Sequence, residues 1–338
     1  MPDPLVVIDA DVLGRNRTGD ETYTENLLRA LAPLAEGVRI AAVTRRPELV
    51  PAGIEPVALA ARSQELRMAV SLPRLLRRLR PALAHFQHAL PLRLDVPAVV
   101  TIHDLSFERD PSLMGLLDRL TFKTMVPRAV RRAERVLAVS ERTRGDLREL
   151  YGTPDAKIVV TPNGVDPAFG PGEADGEPFL LFVGAIQERK DPLAAADAAA
   201  AVGLPLVVVG PEKEPALARE LERRGARLRG YVAKPELAEL YRAAAALLLP
   251  SRYEGFGLPV LEALASGTPV VAAPEPALRE VAGDAAVYAD RDGFADGVRR
   301  ALAERDRLRA AGLERAKAFS WEETARRTLA VYREVLGR

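Results

Sequence analysis

The segment Glu254-Gly255-Phe256-Gly257-Leu258-Pro259-Val260-Leu261-Glu262 carries the most informative pattern in the chain. It follows the apolar run Ala246–Leu249, and Pro259 stands where a helix favours its first residue. Gly255 and Gly257 allow backbone N–H groups to approach a ligand closely. A helix N-terminus attracts anions, most naturally phosphate. The segment therefore predicts a strand, a glycine turn and a helix that bind a phosphate between two carboxylates.

Short apolar runs alternate with longer amphipathic runs along the chain, which is typical of βαβ units with a mostly parallel sheet. The runs that predict strands in the first half are Leu5–Asp9, Val38–Val43, Leu83–Phe86, Ala98–Ile102 and Arg135–Val139. Those in the second half are Phe179–Val183, Leu206–Val209, Ala246–Leu249, Val270–Ala273 and Ala286–Tyr288. The patterns between them predict helices over Thr22–Leu34 and Glu65–Leu79, and a third helix with Ser140 as its N-cap.

The length of 338 residues, 48% of them hydrophobic, is enough for two domains that each have a core. Residues 166–178 are rich in Gly, Pro and Asp and lack periodicity, which predicts a linker. We therefore expect an N-terminal domain over residues 1–165, a C-terminal domain over 179–319 and a last amphipathic helix over 320–338. The predicted fold class is α/β, with two doubly wound domains in tandem.

The composition excludes several classes of function. The 48 basic and 47 acidic residues nearly cancel, so no basic field favours nucleic acid. The chain contains no cysteine, which excludes disulfides, thiolate metal sites and a cysteine nucleophile. The N-terminus lacks the pattern of a signal peptide, and no uncharged apolar run approaches about 18 residues, so we expect a cytoplasmic protein.

Ligands of open α/β sheets bind beyond the carboxyl ends of the strands, and unusual polar and glycine residues follow several predicted strands. In the first half these are the loop Gly14–Gly19 and the pair His103 and Asp104. In the second half they are Gly184–Lys190 and Ser251–Gly257. If the two edges face each other, these loops form a single cleft between the domains.

The histidines limit any metal site to one built mainly from carboxylates, because the chain has three of them. His85 and His88 have the spacing of some metal ligands, but packing of a loop after the strand is the favoured interpretation. His103 ends a predicted buried strand at the ligand edge, which favours a function.

The segment Pro250–Val271 resembles the E-x7-E motif of the family-four retaining glycosyltransferases (glycosyl transferases group 1), which have the GT-B fold. Phe182–Lys190 is similar to the family's "VGTxxxRKN" segment, and Pro162–Asp166 to its "PNGVD" segment. Phe86–His88 and Thr101–Leu105 are similar to its "TIHDL" region. The resemblance covers nearly the whole chain. It implies two Rossmann-like domains facing a cleft, with a C-terminal helix that crosses back to the N-terminal domain.

The resemblance also implies which residues bind a nucleotide-sugar donor. Glu254 would hold hydroxyls of the transferred sugar, and Glu262 would hold the donor ribose. Arg189 and Lys190 would neutralise the diphosphate leaving group. The glycine turn, the loop that contacts the base and the N-domain loop that closes over the phosphates would supply Gly255, Phe256, Gly257, Leu258, Tyr231, Val232 and Gly19.

His103 would lie beside the anomeric carbon and, with Asp104 and Glu254, would form the catalytic group that the resemblance implies. Breaking a glycosyl–phosphate bond leaves negative charge on the diphosphate, and two cations with helix amides stabilise that charge. We therefore expect a reaction without metal or other cofactor, in which Arg189 and Lys190 replace a divalent ion.

The family implies retention of anomeric configuration and transfer of a hexose to a glycan or lipid-linked acceptor, as in polysaccharide biosynthesis. GDP-mannose is favoured over UDP-sugars because the Arg-Lys segment is most similar to mannosyltransferase-like members. Peripheral contact with a membrane is a further option, because a basic face accompanies the leucines of the predicted second helix. An ordinary solvated helix is the favoured interpretation of that face, which comprises Arg74, Arg77, Arg78 and Arg80.

Two positions depart from the family pattern. Asp191 stands where the family usually has Asn or Gly, and Gly19–Tyr23 reads GDETY where the family usually has "GIGRY". The second departure leaves open a catalytically silent protein that binds a nucleotide. A nucleotide-sugar epimerase is another alternative, whereas an NAD-dependent oxidoreductase is disfavoured because no G-x-G-x-x-G follows a first strand.

Overall fold

The computed structural model describes residues 3–15, 18–109, 116–172 and 176–337 of the chain. The chain divides into two compact units. The first comprises Met1–Gly164 and Trp321–Arg338, and the second comprises Val165–Ser320. Each unit is built on one sheet whose described strands all run parallel, as the alternation of apolar and amphipathic runs predicts.

The first unit contains a seven-stranded sheet of order β3-β2-β1-β4-β5-β6-β7. Its strands are β1 Leu5–Asp9, β2 Arg39–Thr44, β3 Glu55–Ala58, β4 Leu83–Gln87, β5 Ala98–Ile102, β6 Arg135–Ala138 and β7 Ile158–Val160. Its helices are α1 Thr18–Leu31, α2 Gln64–Leu66, α3 Leu72–Leu79, α4 Ser106–Arg109, α5 Leu116–Arg132 and α6 Glu141–Tyr151. The C-terminal helix, Trp321–Val335, also belongs to this unit and packs against α1.

The second unit contains a six-stranded sheet of order β10-β9-β8-β11-β12-β13. Its strands are β8 Leu180–Val183, β9 Leu206–Val209, β10 Arg227–Gly230, β11 Ala246–Leu249, β12 Val270–Ala272 and β13 Val287–Tyr288. Its helices are α7 Pro192–Val202, α8 Pro215–Arg223, α9 Lys234–Ala243, α10 Leu258–Ser266, α11 Pro276–Ala282, α12 Phe294–Ala303 and α13 Arg305–Ala316.

Both sheets reverse their strand order beside their first strand, between β1 and β4 and between β8 and β11. In doubly wound folds the ligand binds at this reversal, beyond the carboxyl ends of the strands. The four strands end at Asp9, Gln87, Val183 and Leu249. The loops that follow these four residues are therefore the ones to inspect for a site.

Capping geometry confirms one predicted boundary and explains another. Ser140 accepts a hydrogen bond of 3.0 Å from the backbone N–H of Thr143 and so begins α6. Gly267 ends α10 with a φ of 75°, a conformation that glycine adopts without steric cost. The predicted helix over Glu65–Leu79 is present, but the backbone forms a π-helical turn over Arg67–Ser71.

Three strands were not predicted: β3, β7 and β10. The start of α1 was also predicted too late, because the helix begins at Thr18, so that Gly19–Tyr23 is helical and not a loop. Residues 166–178 belong to the second unit, and 173–175 of the expected linker lie outside the described residues. The first part of that segment is fixed in place, because Asp166 is buried and forms a 2.6 Å salt bridge with Lys234.

Candidate functional site

Two cations and one carboxylate meet at the strand reversal of the second sheet. Lys190 Nζ lies 2.5 Å from Glu254 Oε1, and Arg189 Nη1 lies 3.8 Å from Glu254 Oε2. Burial would raise the pKa of Glu254, but the charges of Lys190 and Arg189 outweigh it and hold the pKa below its usual range. Glu254 is therefore ionised, and the three residues together retain a net positive charge. We call Arg189, Lys190 and Glu254 the donor cluster, after the role predicted for them. All three were predicted site residues, but their mutual contact was not predicted.

The loops that carry the donor cluster are held together by backbone contacts. Arg189 donates from its guanidinium to the carbonyl of Tyr253, and the backbone N–H of Arg252 donates to the carbonyl of Arg189 at 2.9 Å. A Cβ atom on Gly210 would lie 2.1 Å from the carbonyl oxygen of Gly184, so the loops after β8 and β9 approach each other as only glycine permits. These contacts hold the loops together and orient the Arg189 side chain, while the pair with Glu254 orients Lys190.

Asp191, the residue that departs from the family pattern, has a cation of its own. Its side chain forms a salt bridge with Arg291 and makes no capping hydrogen bond to α7. Its charge is therefore balanced by Arg291 and does not compete for Arg189 or Lys190.

The glycine turn leads into α10 as predicted, with fewer amide donors than an ideal helix start. Gly257 has a φ of 107°, and a Cβ atom there would lie 2.7 Å from Leu278 Cδ2, so both conformation and space require glycine. Pro259 has no N–H group, and the N–H of Val260 donates to the Gly257 carbonyl at 3.0 Å. Among Leu258, Pro259 and Val260, the first three residues of the helix, these bonds leave the backbone N–H of Leu258 available to a ligand. Gly255 and Phe256 of the turn are buried.

Glu262 lies one turn into α10 and contacts a buried tyrosine that the sequence did not indicate. Tyr241 Oη donates a hydrogen bond of 2.8 Å to Glu262 Oε2. Burial raises the pKa of Glu262 to about 8, and the charge of Asp166 adds to that effect. Glu262 is therefore largely protonated at neutral pH, and Tyr241 fixes its orientation.

The loop after β10 offers one exposed aromatic ring. Tyr231 is 59% exposed, whereas Val232 is buried. The backbone N–H of Gly210 donates to the carbonyl of Gly230 at 2.8 Å, which ties this loop to the one after β9. The ring of Tyr231 is thus presented on a fixed backbone.

In the first unit, His103 follows β5 and is held on two sides. Its Nε2 lies 2.9 Å from Gln87 Oε1, and the ring of Tyr23 packs edge-on with centroids 4.6 Å apart. Burial lowers the pKa of His103 to about 4, so the imidazole is neutral at physiological pH.

A chain of hydrogen bonds determines which nitrogen of His103 carries the proton. Thr24 Oγ1 donates to the Asp20 carbonyl at 2.8 Å and therefore accepts from the side-chain amide of Gln87. The carbonyl oxygen of Gln87 then faces His103, so Nε2 donates and Nδ1 keeps its lone pair. Thr24 and Gln87 were not predicted as functional residues. The position of Gln87 at the strand reversal was the signal that could have identified it.

Asp104 and Gly19 have local structural explanations. Asp104 Oδ1 accepts hydrogen bonds from the N–H of Ser106 at 2.9 Å and from Ser106 Oγ at 2.8 Å, which begins α4. Gly19 lies in the first turn of α1, and nothing lies within 4 Å of a Cβ atom built there. The roles expected for these two residues remain predictions.

His85 lies inside β4, within the predicted strand Leu83–Phe86 and not in a loop after it, and it is buried. Its Nδ1 lies 2.6 Å from Tyr332 Oη of the C-terminal helix, and its Nε2 lies 2.7 Å from Thr101 Oγ1. Burial lowers the pKa of His85 to about 3. Both ring nitrogens are engaged, so His85 and His88 do not form the metal-ligand pair that their spacing suggests.

His88 instead lies near Asp20 and His103. Its Nε2 is 3.9 Å from Asp20 Oδ1, and its ring centroid is 5.1 Å from that of His103. Burial lowers the pKa of His88, but the hydrogen bond and charge of Asp20 outweigh that effect, and the pKa is raised. Elsewhere in the described part of the chain, no group of three histidine and carboxylate side chains has metal-site spacing.

Two family models match the chain: Glycosyltransferase Family 4 over residues 17–169, and Glycosyl transferases group 1 over residues 177–304. O-antigen chain mannosyltransferase B of Escherichia coli is 30% identical over 275 residues, which cover 72% of this chain and 72% of the relative. The chain belongs to glycosyltransferase family 4. The chain is thus a glycosyltransferase.

A second relative of this glycosyltransferase is the D-inositol 3-phosphate glycosyltransferase of Kineococcus radiotolerans, 34% identical over 294 residues that cover 72% of this chain and 67% of the relative. Sucrose-phosphate synthase from Thermosynechococcus elongatus shares the fold, with a TM-score of 0.79 at 21% identity over 99% of this chain and 100% of that one. Anabaena HepE in complex with UDP and glucose also shares the fold, with a TM-score of 0.72 at 14% identity over 98% of this chain and 99% of that one. The family-four assignment and the GT-B fold are thereby confirmed.

No helix among the described residues of the glycosyltransferase is long and apolar enough to cross a bilayer. The leucines of α3 face the core, since Leu72, Leu75 and Leu76 are buried. Beside α3 a cavity of about 290 Å³ is lined by side chains that include Arg77, Arg80 and Arg93. The leucines of α3 therefore pack on the sheet, as the favoured interpretation expects, and contact of its arginines with a membrane stays a prediction.

Proposed function

We propose that this glycosyltransferase transfers a hexose, with mannose favoured, from a nucleoside diphosphate sugar to a glycan or lipid-linked acceptor. The transfer retains the anomeric configuration and requires no metal ion. The donor cluster of Arg189, Lys190 and Glu254 is the observation that carries the proposal. Two nearly buried cations, fixed before the donor arrives, match the charge that a diphosphate leaving group develops.

Donor binding exchanges the partners within the donor cluster. Lys190 pairs with Glu254 in the absence of donor, and a diphosphate replaces the carboxylate as the partner of the ammonium group. Glu254 is then available to accept hydrogen bonds from hydroxyls of the sugar. When the bond between the anomeric carbon and the diphosphate oxygen breaks, its electron pair leaves with the diphosphate, and Arg189 and Lys190 stabilise that charge. The acceptor hydroxyl oxygen forms the new bond to the anomeric carbon, and its proton passes to the departing diphosphate.

Glu262 and Tyr231 are assigned to the nucleoside. Glu262, oriented by Tyr241, accepts hydrogen bonds from the ribose hydroxyls, and the exposed ring of Tyr231 stacks on the base. His103 accepts a hydrogen bond from a sugar hydroxyl through Nδ1, the nitrogen that Gln87 leaves with its lone pair.

The relatives support the choice of sugar, base and acceptor to test. The Escherichia coli relative is named a mannosyltransferase, which supports mannose and hence GDP-mannose. The Anabaena structure holds UDP and glucose, which makes UDP-glucose the second donor to test. The relative named for D-inositol 3-phosphate makes a phosphorylated polyol the second acceptor to test. The arginines beside α3 suit a lipid-linked acceptor at a membrane surface.

A transfer assay with a panel of nucleotide sugars tests the proposal. We expect one donor to be consumed in the presence of EDTA, and the Arg189→Ala/Lys190→Ala variant to lose this activity. Arg252→Ala is the matched control, because Arg252 is an exposed cation on the neighbouring loop that pairs with Glu188. A requirement for a divalent ion would contradict the metal-independent mechanism. Conversion of the donor to an epimer without an acceptor, or nucleotide binding without turnover, would favour the two alternative functions.

A further inference from the structure

Three side chains with metal-binding chemistry converge at the carboxyl edge of the first sheet. Asp20 comes from the first turn of α1, His88 follows β4 and His103 follows β5. One ligand atom of each lies within 4.8 Å of the ligand atoms of the other two. We call Asp20, His88 and His103 the imidazole cluster.

The tautomer of His103 suits a metal ligand. A ligating histidine usually donates its second N–H to a carbonyl or carboxylate, which orients the ring and fixes the lone pair of the other nitrogen. In His103, Nε2 faces Gln87 Oε1 at 2.9 Å, and Thr24 in turn orients the Gln87 amide. The lone pair on Nδ1 is thus fixed before any ion binds.

His88 is held in a conformation that few residues adopt. Its φ is 58°, in the left-handed region, which is costly for a residue with a Cβ atom and often marks a functional position. In the described part of the chain, His88 Nδ1 is buried without a hydrogen-bond partner, while Nε2 faces Asp20 at 3.9 Å. This backbone conformation places the imidazole beside Asp20 and His103.

We propose that Asp20, His88 and His103 bind one divalent transition-metal ion of the Zn²⁺ class. Two imidazoles and one carboxylate form the donor set that such ions prefer, whereas Mg²⁺ and Ca²⁺ prefer oxygen ligands alone. Three protein ligands leave a further coordination position for water.

The ligand atoms need a modest rearrangement to close on an ion. Tetrahedral Zn²⁺ with bonds of about 2.0–2.1 Å holds its ligand atoms about 3.4 Å apart. The side chain of Asp20 is 40% exposed and that of His88 is 20% exposed, so Asp20 has space to rotate towards the imidazoles.

Occupation of the imidazole cluster would inhibit the glycosyltransferase. The ion takes the Nδ1 lone pair of His103, which the proposed function assigns to a hydroxyl of the sugar. This consequence rests on the proposed function, whereas metal binding itself does not. It also gives the acidic residue at position 20, where the family pattern has none, a role of its own.

Metal binding is tested on the full chain, without a polyhistidine tag and without donor, by calorimetric titration with Zn²⁺. We expect one equivalent to bind with micromolar affinity, and Asp20→Asn and His88→Gln each to weaken binding by about tenfold or more. Glu25→Gln is the matched control, a carboxylate on the same helix that pairs with Arg29 and should leave binding unchanged. Absence of Zn²⁺ binding, or equal binding in the wild type and both cluster variants, would overturn the proposal and leave an Asp20–His88 ion pair.

A second readout reports the coordination geometry of the bound ion and does not depend on the affinity that one variant loses. Co²⁺ bound in place of Zn²⁺ should show the ligand-field absorption of a tetrahedral site with nitrogen ligands, and Asp20→Asn should reduce it. If the spectrum remains that of hexaaquo Co²⁺ although the protein is in excess over the metal, the proposed site is contradicted. Inhibition of transfer by Zn²⁺ is measured for each protein relative to its own rate without Zn²⁺. If Zn²⁺ binds but does not inhibit transfer, the metal site stands and the role of His103 in the proposed function fails.

Discussion

Lys190 Nζ forms a 2.5 Å salt bridge with Glu254 Oε1, so the residue expected to bind the diphosphate is paired with the residue expected to bind the sugar. The two residues are 64 positions apart in sequence and meet because β8 and β11 are neighbours at the strand reversal. The pairing keeps two otherwise costly buried charges stable in the absence of donor. Under the proposed function, donor binding must break this contact.

Removal of one member of this pair should cost stability. We expect Lys190→Ala to reduce the free energy of unfolding by about 3 kcal/mol, because it leaves the Glu254 carboxylate buried without its closest cation. The double variant Lys190→Met/Glu254→Gln should recover most of that loss but remain inactive. Urea denaturation measures both, and a double variant no more stable than Lys190→Ala would contradict the pairing.

The affinity for the nucleotide should depend on the protonation of Glu262. Its pKa is raised to about 8 without ligand, and ribose hydroxyls favour the carboxylate form, so binding releases a proton near neutral pH. Affinity should therefore rise between pH 7 and 8, by at most about tenfold per pH unit. Calorimetry on the wild type and Glu262→Gln checks this, because the variant should lose the part of the pH dependence that Glu262 contributes. Parallel profiles for the two proteins would refute the assignment.

The protonation of His103 should follow the hydrogen bonds of Gln87. We expect nitrogen NMR of the wild type to show a neutral ring protonated on Nε2 down to about pH 5, because burial lowers the pKa to about 4. Gln87→Leu should give a mixture of tautomers and reduce kcat by about tenfold, the equivalent of one lost buried hydrogen bond. A single Nε2-protonated tautomer in the variant would show that Gln87 does not position the ring.

Acid should destabilise the first unit through His85. The pKa of His85 is lowered to about 3 in the folded chain and is near 6.5 when unfolded, so the unfolded state binds more protons between these values. Its contribution to stability is present above pH 6.5 and is lost as the pH falls towards 3. His85→Gln should flatten the decline of stability between pH 6 and 4 by about 1.4 kcal/mol per pH unit. An unchanged dependence of stability on pH in His85→Gln would show that a group other than His85 titrates in this range.

Central strands were predictable because they are buried on both faces. Leu206–Val209 and Ala246–Leu249 are unbroken apolar runs, Leu5–Asp9 is apolar up to Ile8, and the structure has the same boundaries for all three. The edge strands β3 and β10 contain Pro56 and charged residues such as Arg227 and lack a continuous apolar run. Pairing with an inner neighbour, not sequence pattern, makes them strands.

The candidate site was predictable where a short motif contains it. Glu254, Glu262 and the Arg189-Lys190 pair belong to local patterns that also carry the family resemblance. Tyr241 and Gln87 were not predicted, because each acts through a contact made across the fold. A buried tyrosine on a helix has no local signature, and Gln87 is marked by its place at the strand reversal and not by a motif.

The central claim, that Arg189 and Lys190 form the diphosphate site, is tested most directly by calorimetric titration with GDP, UDP and ADP. We predict micromolar binding of one nucleotide to the wild type and to Arg252→Ala, and its loss in the Arg189→Ala/Lys190→Ala variant, with GDP favoured. Binding of the same nucleotide with equal affinity to that double variant would contradict the account, as would the absence of binding by all three nucleotides.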